Sequence, residues 1–241
     1  MKKVLWEQMK RTEIDAAAKA GGVVIIPVAA IEQHADHLPV NTDTNICCTI
    51  AKRAAEAVDA FPVLVLPPVW SGYSPHHMMF PGSITLKYHT FVDVLSEIAA
   101  CVHAHGFKKI FFLNGHGGNM PIIAGLRTKL EGEDNVPAIG YTYWELPGVS
   151  EKMKAMSETD KGSIGHSAEM ETSLQLYLQP DLVDESAAKW VPGAFGDPSS
   201  GTREKGERLV SVVVDALVST LGDFHNGILE DKLVWRKDIP D

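Results

Sequence analysis

Val23-Val24-Ile25-Ile26-Pro27-Val28-Ala29-Ala30 runs straight into Ile31-Glu32-Gln33-His34-Ala35-Asp36-His37-Leu38-Pro39, and these seventeen residues decide the fold. The first half is apolar and rich in β-branched side chains, which reads as a buried strand. A dense group of carboxylates and imidazoles therefore sits where a buried strand gives way to a loop, the place where open α/β sheets bind ligands. Glu32 and His34 are two apart, so on extended backbone they leave the same face. Asp43 lies past a short loop at the start of a predicted helix and can fold back onto them. Carboxylate, imidazole and carboxylate converging on one point suit a divalent metal such as zinc or manganese.

Outward from this stretch, helical and strand patterns alternate. A helix is expected within residues 4–20, with Thr12 as N-cap and Gly21-Gly22 as its stop. Residues 44–58 carry apolar side chains at helical spacing, and 61–69 form a second apolar run. Residues 70–83 (WSGYSPHHMMFPGS) are a loop longer than a simple connection needs, a sign of function. A helix over 90–105 closes at Gly106. Lys108–Leu113 is a third strand ending in Asn114-Gly115-His116-Gly117-Gly118-Asn119. Then follow a helix at 120–130, a strand at 136–144, a helix at 165–178, a Gly/Pro/Ser loop at 186–202 and a helix at 202–221. This alternation predicts a three-layer α/β fold: a mostly parallel sheet with helices on both faces, in one domain over residues 1–241.

Composition excludes several classes. Of the 241 residues, 45% are hydrophobic and 22% charged, ordinary for a globular chain. A formal net charge of -9 argues against nucleic acid or an anionic membrane as partner. Cys47, Cys48 and Cys101 lack metal-knuckle spacing and read as small buried residues in a reducing compartment. No secretory leader follows Met1-Lys2-Lys3, and no apolar run is long enough to cross a bilayer. A cytoplasmic protein is expected.

Two further clusters echo the first loop. In Asn114–Asn119, His116 stands among glycines that let backbone approach a ligand. The spacing fits neither the dinucleotide fingerprint nor the Walker loop, which disfavours a phosphate cradle. In Gly165-His166-Ser167-Ala168-Glu169-Met170-Glu171-Thr172-Ser173, a helix opening at the start of the stretch puts His166 and Glu169 on one face. Glu171 then points elsewhere, in a supporting position, although both acids also suit a helix N-terminus. Together Glu32, His34, Asp43, His116 and Glu169 are the candidate metal ligands, a mixed nitrogen/oxygen set sized for two ions with one bridging carboxylate. His166 remains free to move protons as general base and then acid. His37 is read as support for the loop, and Asp36 ranks below Glu32 and Asp43 as a ligand.

At these residues the chain resembles the creatininase (creatinine amidohydrolase) family. The resemblance extends from PVAAIEQHADHLPVNTD through FPGSITL, LNGHGGN and GHSAEMETS to Thr202-Arg203-Glu204-Lys205-Gly206. It implies a metal-dependent hydrolase with a dinuclear centre, a small-molecule substrate and a homo-oligomer, often a hexamer. Glu32, Asp43 and His116 match ligands of one ion, and His34 with the bridging Asp43 match ligands of the other. His166 matches the proton-shuttling histidine and Trp144 an aromatic near the substrate. The expected cofactor is zinc, with manganese or iron as alternatives, one or two ions per subunit.

Two departures stand out. Creatininase carries a ligating Glu two residues after the loop His, where this chain has Gly118; Glu169 is expected to supply the carboxylate instead. The loop before Phe80-Pro81-Gly82 is short and carries His76-His77-Met78-Met79, so His76 and His77 are expected in the substrate pocket, or at a further metal site, and creatinine is not the expected substrate. The leading reading is water-driven opening of a cyclic amide or related carbonyl compound. Hydrolytic carbon–carbon ring opening of an oxidised inositol, and a non-catalytic binding protein, are the alternatives. The lack of an Arg/Lys cluster near the motifs disfavours a phosphorylated substrate. Trp190 and Phe195, in the loop at 186–202, suit a subunit contact or a pocket lid.

Overall fold

A computed structural model describes residues 2–159 and 165–229. Among these residues four parallel strands stand in the order β2-β1-β3-β4: β1 Val23–Val28, β2 Val63–Val65, β3 Lys109–Asn114 and β4 Ala138–Thr142. β1 and β3 are central, and each ends in one of the chemically loaded loops. Along β1 the side chains alternate between two cores. Val23 and Ile25 pack with α2 (Thr42–Ala57), α6 (Glu169–Leu178) and α7 (Arg203–His225). Val24, Ile26 and Val28 pack with α3 (Tyr88–Ala104) and α4 (Met120–Gly132). Residues buried on both faces explain why β1 reads as an unbroken apolar run.

Pro27 is unusual in a central strand, because it cannot donate to the ladder. Ile25 and Pro27 direct their carbonyls to the β2 side, accepting from Leu66 and Val69 N–H. β2 pairs only as far as Val65, opposite Ile25, so the donor Pro27 lacks belongs on a side where strand pairing has already ended. The apolar run at 61–69 thus forms only three strand residues.

Other boundaries shift for local reasons. Helix α1 (Arg11–Lys19) is capped by Lys10, not Thr12, through the Glu13 carboxylate, which accepts the Lys10 N–H. A short helix α5 (Val149–Met156) occupies a stretch read as polar connection. Helix α6 starts at Glu169 rather than at Gly165. Cys47 is buried as expected, whereas Cys48 is half-buried and Cys101 exposed. Among the described residues no helix is long and apolar enough to cross a membrane.

Candidate metal centre

The loop after β1 is folded by its own polar atoms. Glu32 N–H donates to Val40 O, Ile84 N–H donates to Ile31 O, and Ala35 takes a left-handed φ of 56°. Asp43 sits in the first turn of α2 and is 2% exposed; Glu32 is 1% exposed. Helix α2 packs so tightly on the β3 loop that a Cβ at Gly115 would lie 2.8 Å from Cys47 Cβ and 2.9 Å from Asp43 O. That glycine brings the Asp43 carboxylate up to His116.

His116 Nδ1 lies 3.2 Å from Glu32 Oε1 and 3.1 Å from Asp43 Oδ2, while its Nε2 meets Ser74 Oγ at 3.0 Å. His34 Nε2 lies 3.1 Å from Asp43 Oδ1 and 3.7 Å from Glu171 Oε2; its Nδ1 is 3.1 Å from the Glu32 carbonyl, to which it donates. Asp43 therefore stands between two lobes, with Glu32 and His116 on one side and His34 and Glu171 on the other. Candidate ligand atoms of Glu32, His34 and Asp43 lie within 4.8 Å of one another, as do those of His34, His166 and Glu171. Among the described residues Glu32 Oε2 is buried with no hydrogen-bond donor, and Asp43 Oδ2 has only the His116 imidazole beside it. Buried carboxylate oxygens without donors are costly unless a cation meets them, so the residues fit a metal. Outward hydrogen bonds on the far nitrogens of both imidazoles also fit, since ligating histidines are oriented that way.

The electrostatics match. Burial works to raise Asp43 and Glu32, but the neighbouring imidazoles outweigh it and hold both carboxyls below their ordinary range. Burial likewise works to lower His34 and His116, yet the carboxylates lift both, His116 to about 10. His166, without so close a partner, is lowered by burial and by His34.

His166 precedes α6 and lies on extended chain bridged to Phe195, with Ser167 at a φ of 54° before the helix begins. Helical spacing does not relate His166 to Glu169, and the expectation for Glu169 is corrected. Its carboxylate accepts from Ser157, Glu158 and Thr159 and pairs with buried Lys205, away from the cluster. Glu171 is the acid that turns inward, accepting from Ser167 N–H and lying 3.9 Å from His166 Nδ1. It occupies the third position of α6, from which a Glu side chain reaches back over the helix start. A helix start placed at 169 is the signal that would have found it.

Of the pocket residues, His77 is buried, with Nε2 3.6 Å from Glu32 Oε1 and its ring stacked on His166. His76 is more open and stacks on His116. Trp144 meets Tyr143 edge-on and packs against the core of the α2–α6–α7 layer; among its described contacts none is with the cluster. Gln33 was not singled out from sequence, yet its side chain touches both His77 and His166.

The family model Creatininase (creatinine amidohydrolase) matches residues 7–221. The chain belongs to the creatininase family. It is 27% identical to the creatinine amidohydrolase of Pseudomonas putida, over 91% of this chain and 96% of that protein. It is 28% identical to the mycofactocin precursor peptide peptidase of Mycolicibacterium smegmatis, over 86% and 88%. With the 3-dehydro-scyllo-inosose hydrolase of Thermotoga maritima it shares 30% identity, over 77% of this chain and 59% of that protein. Among solved structures, a zinc–zinc creatininase variant superposes with a TM-score of 0.78 at 26% identity, covering 93% of this chain and 99% of that one. A manganese creatininase gives 0.77 at 25%, covering 92% and 99%. This creatininase-family chain is thus a hydrolase with a cluster able to hold metal.

Gly118 stands where the resemblance leads a ligating carboxylate to be expected. A Cβ there would lie 2.4 Å from His116 Nε2 and from Tyr73 O, and 2.9 Å from His76 Cε1. The 70–83 loop has closed over this position, leaving no room for a carboxylate, and Glu171 stands on the opposite side of Asp43.

Proposed function

We propose that this chain hydrolyses a small carbonyl compound, a cyclic amide first of all, with water activated at a divalent metal centre. Glu32, Asp43 and His116 would hold one ion, and His34, Asp43 and Glu171 the other. Zinc is the preferred ion, with manganese or iron as alternatives and one or two per subunit. When bound, such ions lower the pKa of water and polarise a carbonyl. The observation that carries the reading is the pair of buried carboxylates, Glu32 and Asp43, that meet the imidazole nitrogens of His34 and His116 from separate strand ends. His166, lowered by burial, is suited to accept a proton near neutral pH and return it to the leaving atom. Glu169 has no part in this scheme.

Hydrolytic ring opening of a keto-inositol is the second reading, favoured by the 30% identity to the inosose hydrolase. Both chemistries need the same acids and the same His166. A homo-oligomer, hexameric by resemblance, is also proposed, on the strength of Trp190 and Phe195, each 62% exposed on one loop. A cytoplasmic, single-domain protein without nucleic-acid or membrane partners completes the proposal.

The test is elemental analysis of the purified protein, then assay of its zinc and manganese forms on creatinine, formamides, small lactams and keto-inositols. Hydrolysis that stops in His166→Asn while metal stays bound supports the reading. A protein that binds no metal, or turns over undiminished without His166, overturns it.

A further inference from the structure

The side-chain amide of Gln33 touches two stacked imidazoles, and its hydrogen bonds can be assigned without ambiguity. Gln33 Oε1 lies 2.9 Å from Ala35 N–H and accepts from it, so the other amide atom is the nitrogen. That nitrogen has two hydrogens and three neighbours: Gly193 O at 2.8 Å, His77 Nδ1 at 2.9 Å and His166 Nε2 at 3.0 Å. Gly193 O can only accept and takes one hydrogen. His166 Nε2 also lies 2.9 Å from the Gln33 backbone carbonyl, another pure acceptor, so it carries a proton and donates there. The second amide hydrogen therefore goes to His77 Nδ1, which must present a lone pair. The opposite choice sets an N–H of His77 against an amide N–H and leaves the Gln33 carbonyl without its donor.

We infer that Gln33 is a positioning residue that sorts the two rings into opposite roles: His77 presents Nε2–H to the site as a hydrogen-bond donor, and His166 presents Nδ1 as the proton acceptor. The rings stack with centroids 4.5 Å apart. Their free nitrogens both face Glu32 Oε1, His77 Nε2 at 3.6 Å and His166 Nδ1 at 3.5 Å. The His77 distance exceeds that of a hydrogen bond, so its N–H is available to a substrate oxygen. Ligand atoms of His77, Glu32 and His166 lie within 4.8 Å of one another, so His77 could join a metal only with Nε2 unprotonated; a protonated Nε2 is not a ligand.

The role in turnover rests on the hydrolase reading. Water adds to the carbonyl carbon and its proton goes to His166 Nδ1. The C=O π pair moves onto oxygen, which accepts the His77 Nε2–H hydrogen bond without taking the proton. Collapse re-forms the carbonyl and breaks the bond to the leaving atom, which receives the proton from His166. A donor aimed at the charge that develops on oxygen raises kcat rather than substrate affinity, by about 10²–10³-fold where such donors have been removed.

The experiment is long-range proton–nitrogen correlation on the full chain labelled with 15N-histidine, before and after zinc is added, with His77 assigned by its loss in His77→Asn. The expected spectrum has both His77 and His166 protonated on Nε2, and zinc leaves the His77 Nε2–H in place. In Gln33→Glu the residue facing Nδ1 can only accept, and the His77 proton moves to Nδ1. In kinetics with whichever amide or ketone the substrate panel returns, Gln33→Glu and His77→Asn lower kcat by about 10²-fold or more, with KM within about threefold. His77→Gln, whose amide reaches the Nε2 position, recovers part of the loss. An Nδ1-protonated His77 in the native protein, an unmoved proton in Gln33→Glu, or a zinc-bound His77 Nε2 overturns the inference. So does equal kcat in the Asn and Gln variants. If the tautomers are as assigned but no carbonyl compound is hydrolysed, the proton assignment stands, while the hydrolase reading and His77's part in turnover fall.

Discussion

Replacing Glu169 by Gln separates a structural acid from a metal-binding one. Glu169 is 1% exposed and pairs with Lys205, itself 8% exposed, which also reaches Glu158 Oε1 and Ser200 O. The Lys205 ammonium and the donors from Ser157 and Thr159 outweigh the burial that would raise Glu169, taking its pKa from 4.5 down to about 2. At about 1.4 kcal/mol per unit, these contacts together, net of burial, are worth roughly 3 kcal/mol at neutral pH. Removing one partner of a buried pair costs about 3–5 kcal/mol, because the other charge is left stranded. For a chain of this length either figure lowers Tm by about 10 °C. The folded pKa lies below the unfolded one, so the stabilisation is complete above about pH 5 and is lost as pH falls from 4.5 toward about 2. Thermal unfolding of metal-free wild type and Glu169→Gln should differ by about 10 °C at pH 7 and converge on acidification. Zinc content at pH 7 should be unchanged. Glu171→Gln should do the reverse, lowering zinc content with a smaller change in metal-free Tm. Loss of zinc in Glu169→Gln with Tm unmoved, or a Tm gap that stays constant down to about pH 2, refutes the division of labour.

Loading zinc at pH 7 should release protons, about two per chain, because His34 and His116 are held charged in the metal-free cluster; titration calorimetry in buffers of different ionisation enthalpy reads this directly. Since both pKa values are raised, apparent zinc affinity should climb with pH through neutrality rather than level off near pH 6.5. Gly118→Glu should weaken zinc binding and lower Tm rather than restore a ligand, since its Cβ meets His116 and Tyr73 O at 2.4 Å; a stably folded variant with higher zinc content would show that the 70–83 loop yields.

The parts of this chain that sequence made legible are those where one-dimensional pattern and three-dimensional role coincide. β1 and β3 are buried on both faces, so their apolar runs announce both the strand and the loop at its end, and Glu32, His34 and His116 follow from that. Asp43 was legible because it falls in the first turn of α2, the helix that follows the loop. What failed did so at a helix start. Reading α6 from Gly165 gives His166 and Glu169 a shared face, whereas extended backbone through Ala168 and the positive φ at Ser167 rotate the set by two residues and turn Glu171 inward. Lys205, the partner that claims Glu169, lies 36 residues away, beyond any local signal. Gln33 was hidden for another reason: a glutamine between two candidate ligands carries no chemistry until three partners converge on its amide.

The segments around Gly118 and Glu171 also carry the residues proposed to line the pocket. On the β3 loop Gly118 is roofed by Tyr73 and His76, and the acid proposed as ligand, Glu171, comes from α6. A carboxylate on α6 is tied through Ser167 to the chain carrying His166, and that chain is bridged to Phe195 beside Gly193, where Gln33 is anchored. The 70–83 loop in turn delivers His77 onto His166 and packs Phe80 against Gly193. The proposed ligand, proton acceptor and pocket wall are therefore joined by one continuous set of contacts in this chain. A substrate that displaced the 186–202 loop would disturb the His166 tautomer and the Glu171 ligand together. On the proposed function, specificity would be set by the pair of loops that hold Gln33, and creatinine turnover does not follow from family membership.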